Sequence, residues 1–201
     1  MDKWYNALFI GFSGSGKDTQ AHLLEDVLRA RSGKDSVLYV YTGEHLRDAV
    51  KRGGHTGQYI QKEIMEAGNK APDYLAIWAW GNDLVHKMLP EHHLIFSGSP
   101  RTKLEAIVLD DAFVFHDRPH VYPIYLNVSR DEAFRRLKAR GRADDADEVI
   151  NNRLNYFERV VIPAVEYYRS ESAHGLIEID GNHPDPQKIH QDILEAVGLN
   201  S

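Results

Sequence analysis

The residues best suited to do chemistry lie in one run near the amino terminus, Gly11-Phe12-Ser13-Gly14-Ser15-Gly16-Lys17-Asp18-Thr19-Gln20. The run follows the apolar stretch Ala7-Leu8-Phe9-Ile10 and precedes a helical pattern. Its glycines leave a turn without side-chain bulk, so successive backbone N–H groups can face one anion while the next helix adds the positive end of its dipole. This is the composition of a phosphate-binding loop, in which Lys17 reaches the outer phosphates of a nucleotide. The strict motif has Ser or Thr directly after the lysine, whereas here Asp18 precedes Thr19. An ordinary glycine-rich turn with a surface lysine is the alternative, but the strand before and the helix after are the context the motif requires.

Such a loop has to be aimed by a strand and closed by a helix, and the pattern downstream supplies both repeatedly. Ala21, Leu23, Leu24, Val27 and Leu28 fall on one helical face that ends near Ser32-Gly33. Val37-Leu38-Tyr39-Val40-Tyr41 reads as a strand, and Thr42-Gly43 opens a second helix carrying Leu46, Arg47 and Val50. Residues 56–67 and 72–88 predict two more helices, with Trp78 and Trp80 packed inside the second. His93-Leu94-Ile95-Phe96-Ser97 is a buried-type strand ending in Gly98-Ser99-Pro100-Arg101, and a helix follows over 103–113. Strand 121–128, helix 131–140, a long helix from about 144 to 169 bent at Pro163, strand 176–179 and helix 186–197 complete the order. Five strands without strict alternation, each followed by a helix, predict a doubly wound five-stranded parallel α/β sheet with helices on both faces. Ligands of such sheets gather at the carboxyl ends of the strands, where the phosphate loop, Thr42-Gly43 and Gly98-Ser99-Pro100-Arg101 all fall.

With 201 residues, 42% apolar and 27% charged, the chain is expected to fold as one globular domain spanning 1–201. No apolar run is long enough to span a bilayer, and no basic-then-apolar leader opens the chain. A formal charge of −6 argues against a general nucleic-acid binder. The lack of cysteine excludes disulfides and thiolate metal sites and fits a cytoplasmic setting. Of eleven histidines only the pair His92-His93 is adjacent, and both are expected at the surface rather than around a metal.

Read together, the three loop segments resemble the nucleoside monophosphate kinases, adenylate kinases above all, over nearly the whole chain. The family's Gly-x-x-Gly-x-Gly-Lys-Gly-Thr-Gln is matched apart from Asp18, its Thr-Gly-Asp-x-x-Arg by Thr42-Gly43-Glu44-His45-Leu46-Arg47, and its Asp-Gly-aromatic-Pro-Arg by Ser97-Gly98-Ser99-Pro100-Arg101. Its later arginines and paired aspartates are matched by Arg136, Arg140, Arg142, Arg153 and Asp144-Asp145.

The resemblance implies a P-loop kinase fold and transfer of the γ-phosphate of ATP, with Mg²⁺, to a nucleoside monophosphate. Lys17, Arg101, Arg136, Arg140, Arg142, Arg153, Asp144 and Asp145 are then the catalytic set. ATP falls to Gly14, Ser15, Gly16, Lys17, Asp18, Thr19, Arg136, Arg140 and Gly181. The acceptor falls to Thr42, Arg47, Ala71, Gly98, Arg101, Glu105, Arg142 and Arg153. A mobile acceptor flap over about 42–72, a very short lid over about 140–145 without room for metal ligands, and a monomer are implied as well.

Two departures touch the metal: Ser97 replaces the family's aspartate, and the longer Glu44 replaces the acid of the Thr-Gly-Asp motif. No protein metal cage is expected, and Mg²⁺ is held mainly through phosphates and water, with Glu44 and Ser97 nearby. A third departure touches the base. Glu105 stands where adenylate kinases carry a base-reading glutamine, and an ionised carboxylate suits guanine better than adenine. AMP therefore ranks first as acceptor and GMP second, with another monophosphate, a catalytically impaired nucleotide binder of the same fold, or a kinase for a non-nucleotide metabolite as alternatives.

Overall fold

A computed structural model describes residues 4–67, 69–141 and 146–199. Five parallel strands, β1 (Asn6–Gly11), β2 (Val37–Val40), β3 (His93–Ser97), β4 (Val121–Asn127) and β5 (Ile177–Asp180), form one sheet in the order β2-β3-β1-β4-β5. β1 occupies the centre because its side chains can be buried on both faces. Leu8 and Ile10 pack with Leu94 and Phe96 on one side, and Ala7 and Phe9 with Ile95, Ile124 and Leu126 on the other. Each of the leucine, isoleucine and phenylalanine side chains among these, at 0–2% exposure, contributes roughly 1.5–3 kcal/mol.

The first face is covered by α4 (Asp73–His86), α5 (Lys103–Phe115), α6 (Arg130–Arg140), α7 (Asp147–Tyr156) and α8 (Ile162–Ser170), through Trp80, Leu109, Leu137, Leu154 and Tyr168 among others. The second is covered by α1 (Lys17–Ser32) and α9 (Pro186–Ala196), through Leu24, Leu28, Ile189 and Ile193. The doubly wound prediction is therefore what is found. A smaller third cluster, Leu46, Ile60, Ala71 and Leu75, joins α2 (Thr42–Arg52), the π segment that follows α3 (Gly54–Tyr59) and the start of α4 apart from the two main cores.

Several local expectations are corrected. The helix expected over 56–67 starts at Gly54 and widens into a π segment, Ile60–Glu66. The long helix does not simply bend at Pro163. A π segment, Phe157–Val161, interrupts it, and α8 then restarts with Pro163 in its first turn, where a missing N–H costs nothing. Trp80 is buried, but Trp78 is 40% exposed, its ring edge against His45.

His93 is not a surface residue. It is 2% exposed, its Nδ1 accepts from the Tyr5 N–H at 3.1 Å, and its Nε2 lies 2.9 Å from Ser32 Oγ. An accepting Nδ1 requires the neutral ring with its proton on Nε2. Burial, with Arg118 and His92 nearby, pushes the imidazole down to about 4. A histidine with a depressed folded value stabilises above its unfolded value of about 6.5 and loses that stability as pH falls toward 4. Denaturant titrations should therefore show about 2 kcal/mol lost through this group between pH 7 and pH 5. His93→Asn, which keeps an acceptor at the Nδ1 position, should flatten that slope.

Candidate active site

β1 ends at Gly11 and the chain turns back on itself before α1 begins. The turn is closed by the Ser15 N–H donating to Phe12 O at 3.1 Å. Gly14 and Gly16 both adopt positive φ, 84° and 90°. A Cβ on Gly14 would also meet Leu137 Cγ at 2.9 Å, so only glycine lets the loop lie this close to α6. Ser15 is buried, and its Oγ accepts from the Lys17 N–H at 3.4 Å. Gly16, the residue before α1, has no side chain to cap it. Beyond Lys17, the remaining first-turn N–H groups of this helix are thus left, together with the dipole, for an anion.

Lys17 heads that helix. Burial holds its ammonium below the ordinary lysine range, Asp18 opposes the shift, and the positive charges of Arg101 and Arg140 add to it. Three cations from α1, α6 and the loop after β3 therefore act on one another, an arrangement that polyanionic phosphates relieve.

On the α6 side Arg136 ties three pieces together. Its Nε donates to Glu132 Oε1 at 2.6 Å, its Nη1 to Ser15 O at 3.3 Å and its Nη2 to Gly181 O at 2.8 Å. Hydrogen bonds from Arg135 and Arg136 hold the Glu132 carboxyl down at about 2. Gly181 acts by position: a Cβ there would meet Val128 Cγ2 at 2.5 Å. An open groove of about 470 Å³ runs between Ser15, Gly16 and Thr19 on one side and Arg136, His183 and Pro186 on the other. Its volume and its phosphate-loop end suit a nucleotide.

The opposite side is built from the ends of β2 and β3. Thr42 Oγ1 and Ser99 Oγ lie 2.8 Å apart, joining the two loops, and Arg101 Nε donates to Gly98 O at 2.6 Å. Glu105, the residue standing at the predicted base-reading position, is 0% exposed. Its Oε2 accepts from the Arg101 N–H at 3.3 Å, and its buried Oε1 has no partner. Burial pushes this carboxyl up, against the pull of Arg101 and Lys70. Lys70 pairs with Asp73, which also accepts from Thr102 Oγ1 at 3.3 Å. Ala71 sits in the third apolar cluster, and the exposed Arg47 lies over the Tyr41 ring at 5.3 Å.

The fold thus gathers Gly14, Ser15, Gly16, Lys17, Asp18, Thr19, Arg136 and Gly181 on the groove side, and Thr42, Gly98, Arg101 and Glu105 on the other. Arg140 is placed near Lys17 by its effect on that ammonium, and Arg153 is half-buried on α7. Arg142, Asp144 and Asp145, with most of the short lid, lie outside the described residues. Glu44 is exposed on α2, where its charge acts on Lys87.

Ser99, Glu132 and Tyr39 were not anticipated. Glu132 had a legible signal in its three- and four-residue spacing to Arg135 and Arg136. Ser99 and Tyr39 had none, because their partners, Thr42 and Ser97, lie far away in the sequence.

Among the described residues no three histidine or acidic side chains cluster as a metal cage, and no helix is long and apolar enough to cross a membrane. The donors that do meet at the phosphate loop are hard oxygens: the Asp18 carboxylate and the Ser97 hydroxyl, which donates to Asp18 Oδ1. They fit Mg²⁺, which keeps most of its waters and takes few protein ligands when it travels with a nucleotide.

Comparison with known proteins agrees with this geometry. A family model described as adenylate kinase matches residues 9–173. The chain is 34% identical to adenylate kinase 1 of Synechocystis sp., over 96% of this chain and 92% of that protein. It is 31% identical to the adenylate kinase of Prochlorococcus marinus (strain MIT 9515), over 94% and 97%. Against the adenylate kinase of Thermus thermophilus it is 30% identical, over 99% and 100%. With a phosphate loop, an arginine-lined groove and a second cationic loop set on one sheet edge, and with relatives aligned almost end to end, this chain belongs to the adenylate kinase family.

Proposed function

We propose that the chain transfers the γ-phosphate of ATP to AMP, giving two molecules of ADP. The observation that carries this is the convergence of Arg101 and Arg140 on Lys17, with the ATP groove on one side and the acceptor loops on the other. An oxygen of the acceptor phosphate attacks the γ-phosphorus, the bond to the β–γ bridging oxygen breaks, and no side-chain nucleophile is needed. Charge spreads over the moving oxygens, so the protein contributes position and positive charge.

In this reading the outward N–H groups of α1 and Lys17 take the β- and γ-phosphates. Arg136 fixes the loop against α6 and the chain after β5. Arg140, Arg142 and Arg153 meet the transferring group, Asp144 and Asp145 orient them, and Arg47 and Arg101 clamp the acceptor phosphate through their guanidinium forks. Mg²⁺, when bound with ATP, neutralises phosphate charge.

Adenine is favoured over guanine by the state of Glu105. Burial shifts this carboxyl toward its neutral form, which both donates and accepts as a glutamine amide does, and so weakens the objection that holds for an ionised carboxylate. The segment over about 42–72 closes on the acceptor as a flap, for which its separate small core suits it.

Three outcomes check this reading. Lys17→Ala should lower kcat by at least about 10²-fold in a coupled assay with ATP, Mg²⁺ and AMP while leaving the melting temperature nearly unchanged, since this half-buried residue serves phosphates rather than packing. Amide exchange across 42–72 should slow when both nucleotides are bound; unchanged exchange at saturation would remove the flap. The AMP-to-GMP ratio of kcat/KM should fall as pH rises through the elevated Glu105 value, because the carboxyl then loses the proton it donates. Glu105→Gln should abolish that pH dependence and hold the ratio high, and a ratio that never moves would show that Glu105 does not read the base.

A further inference from the structure

Asp18 presents a difficulty that the transfer reaction alone does not explain. It is an exposed carboxylate in the first turn of the helix whose free N–H groups and dipole receive phosphate. A negative charge there repels a polyphosphate unless a cation lies between them. Its position is also fixed. β3 is the hydrogen-bonded neighbour of β1, with Ser97 opposite Phe9, so the residue closing β3 arrives beside the loop. The Ser97 hydroxyl, 2% exposed, donates to Asp18 Oδ1. Tyr39, from β2, adjoins the same hydroxyl. A serine has one proton to give, so this bond orients the carboxylate and leaves Oδ2 for another donor or for a cation's water.

Resting on the phosphotransfer reading above, we propose that Asp18, oriented by Ser97, is the protein's positioning residue for the hydrated Mg²⁺ of bound ATP. It supplies from α1 the single carboxylate that the end of β3 does not provide. Both departures from the family pattern, Asp18 for glycine and Ser97 for aspartate, are then one exchange: the carboxylate and its small neighbour have traded strands at a junction where only one acid fits. The plain structural alternative is an acid that favours the helix dipole and bonds Ser97. That role would affect stability and leave the linkage between metal and nucleotide untouched.

The linkage is therefore the readout. Affinity of the purified protein for a non-hydrolysable imido analogue of ATP is measured by calorimetry with saturating Mg²⁺ and again in EDTA. Mn²⁺ binding to the analogue complex is followed by electron paramagnetic resonance. The wild type should bind the analogue roughly tenfold more tightly with metal than without. Asp18→Gly and the isosteric Asp18→Asn should reduce that ratio about fivefold or more, with metal-free affinity rising as the repulsion is removed and Mn²⁺ affinity falling. Asp18→Gly combined with Ser97→Asp should restore the ratio. An unchanged ratio and unchanged Mn²⁺ affinity in both single variants would overturn the assignment of Asp18. Failure of the wild type to bind the analogue under either condition would instead overturn the phosphotransfer reading, and this inference with it.

Discussion

The site depends on the ladder that holds β1 between β3 and β4. Because Ala7, Leu8, Phe9 and Ile10 are all apolar, β1 is stable only where both its faces are covered and both its edges are paired. Parallel pairing then sends the loops after β1, β2 and β3 to one edge of the sheet. Phosphate loop, Thr42 and Arg101 are far apart in sequence, yet they share a neighbourhood for this reason alone. The catalytic geometry is a by-product of how the core excludes water.

Charge is distributed to match. The protein carries a net charge of −6, but the edge of the sheet collects Lys17, Arg101, Arg136 and Arg140. Their mutual repulsion is tolerated because each is separately engaged. Arg136 directs its donors to Glu132 and to backbone carbonyls, and Arg101 bonds Gly98 O. Lys17 has Asp18 beside it, and burial still holds its ammonium low. Phosphates entering the site favour the charged form of Lys17, so binding and the electrostatic demands of transfer act in the same direction. Apolar packing is likewise divided: Leu46, Ile60, Ala71 and Leu75 form a small core of their own, separate from the two that flank the sheet.

Read as a string, the chain already determined most of this. The order of apolar strands and amphipathic helices specifies a doubly wound sheet, because only burial on both faces satisfies strands without alternation. The glycine spacing before Lys17 specifies an anion loop, because the backbone requirement is local. Tertiary structure decided what local spacing cannot carry. His93 reads as a surface histidine and is a buried neutral one, since the partners of its two nitrogens, Tyr5 and Ser32, are 88 and 61 positions away. Pro163 reads as a bend, but the preceding π segment absorbs it. Glu105 reads as an ordinary ionised carboxylate, and only the fold shows the burial that pushes it up toward its neutral form. Asp18 and Ser97 read as two separate defects in two motifs. Only the register of β3 against β1 makes them one contact, and with it one site for charge.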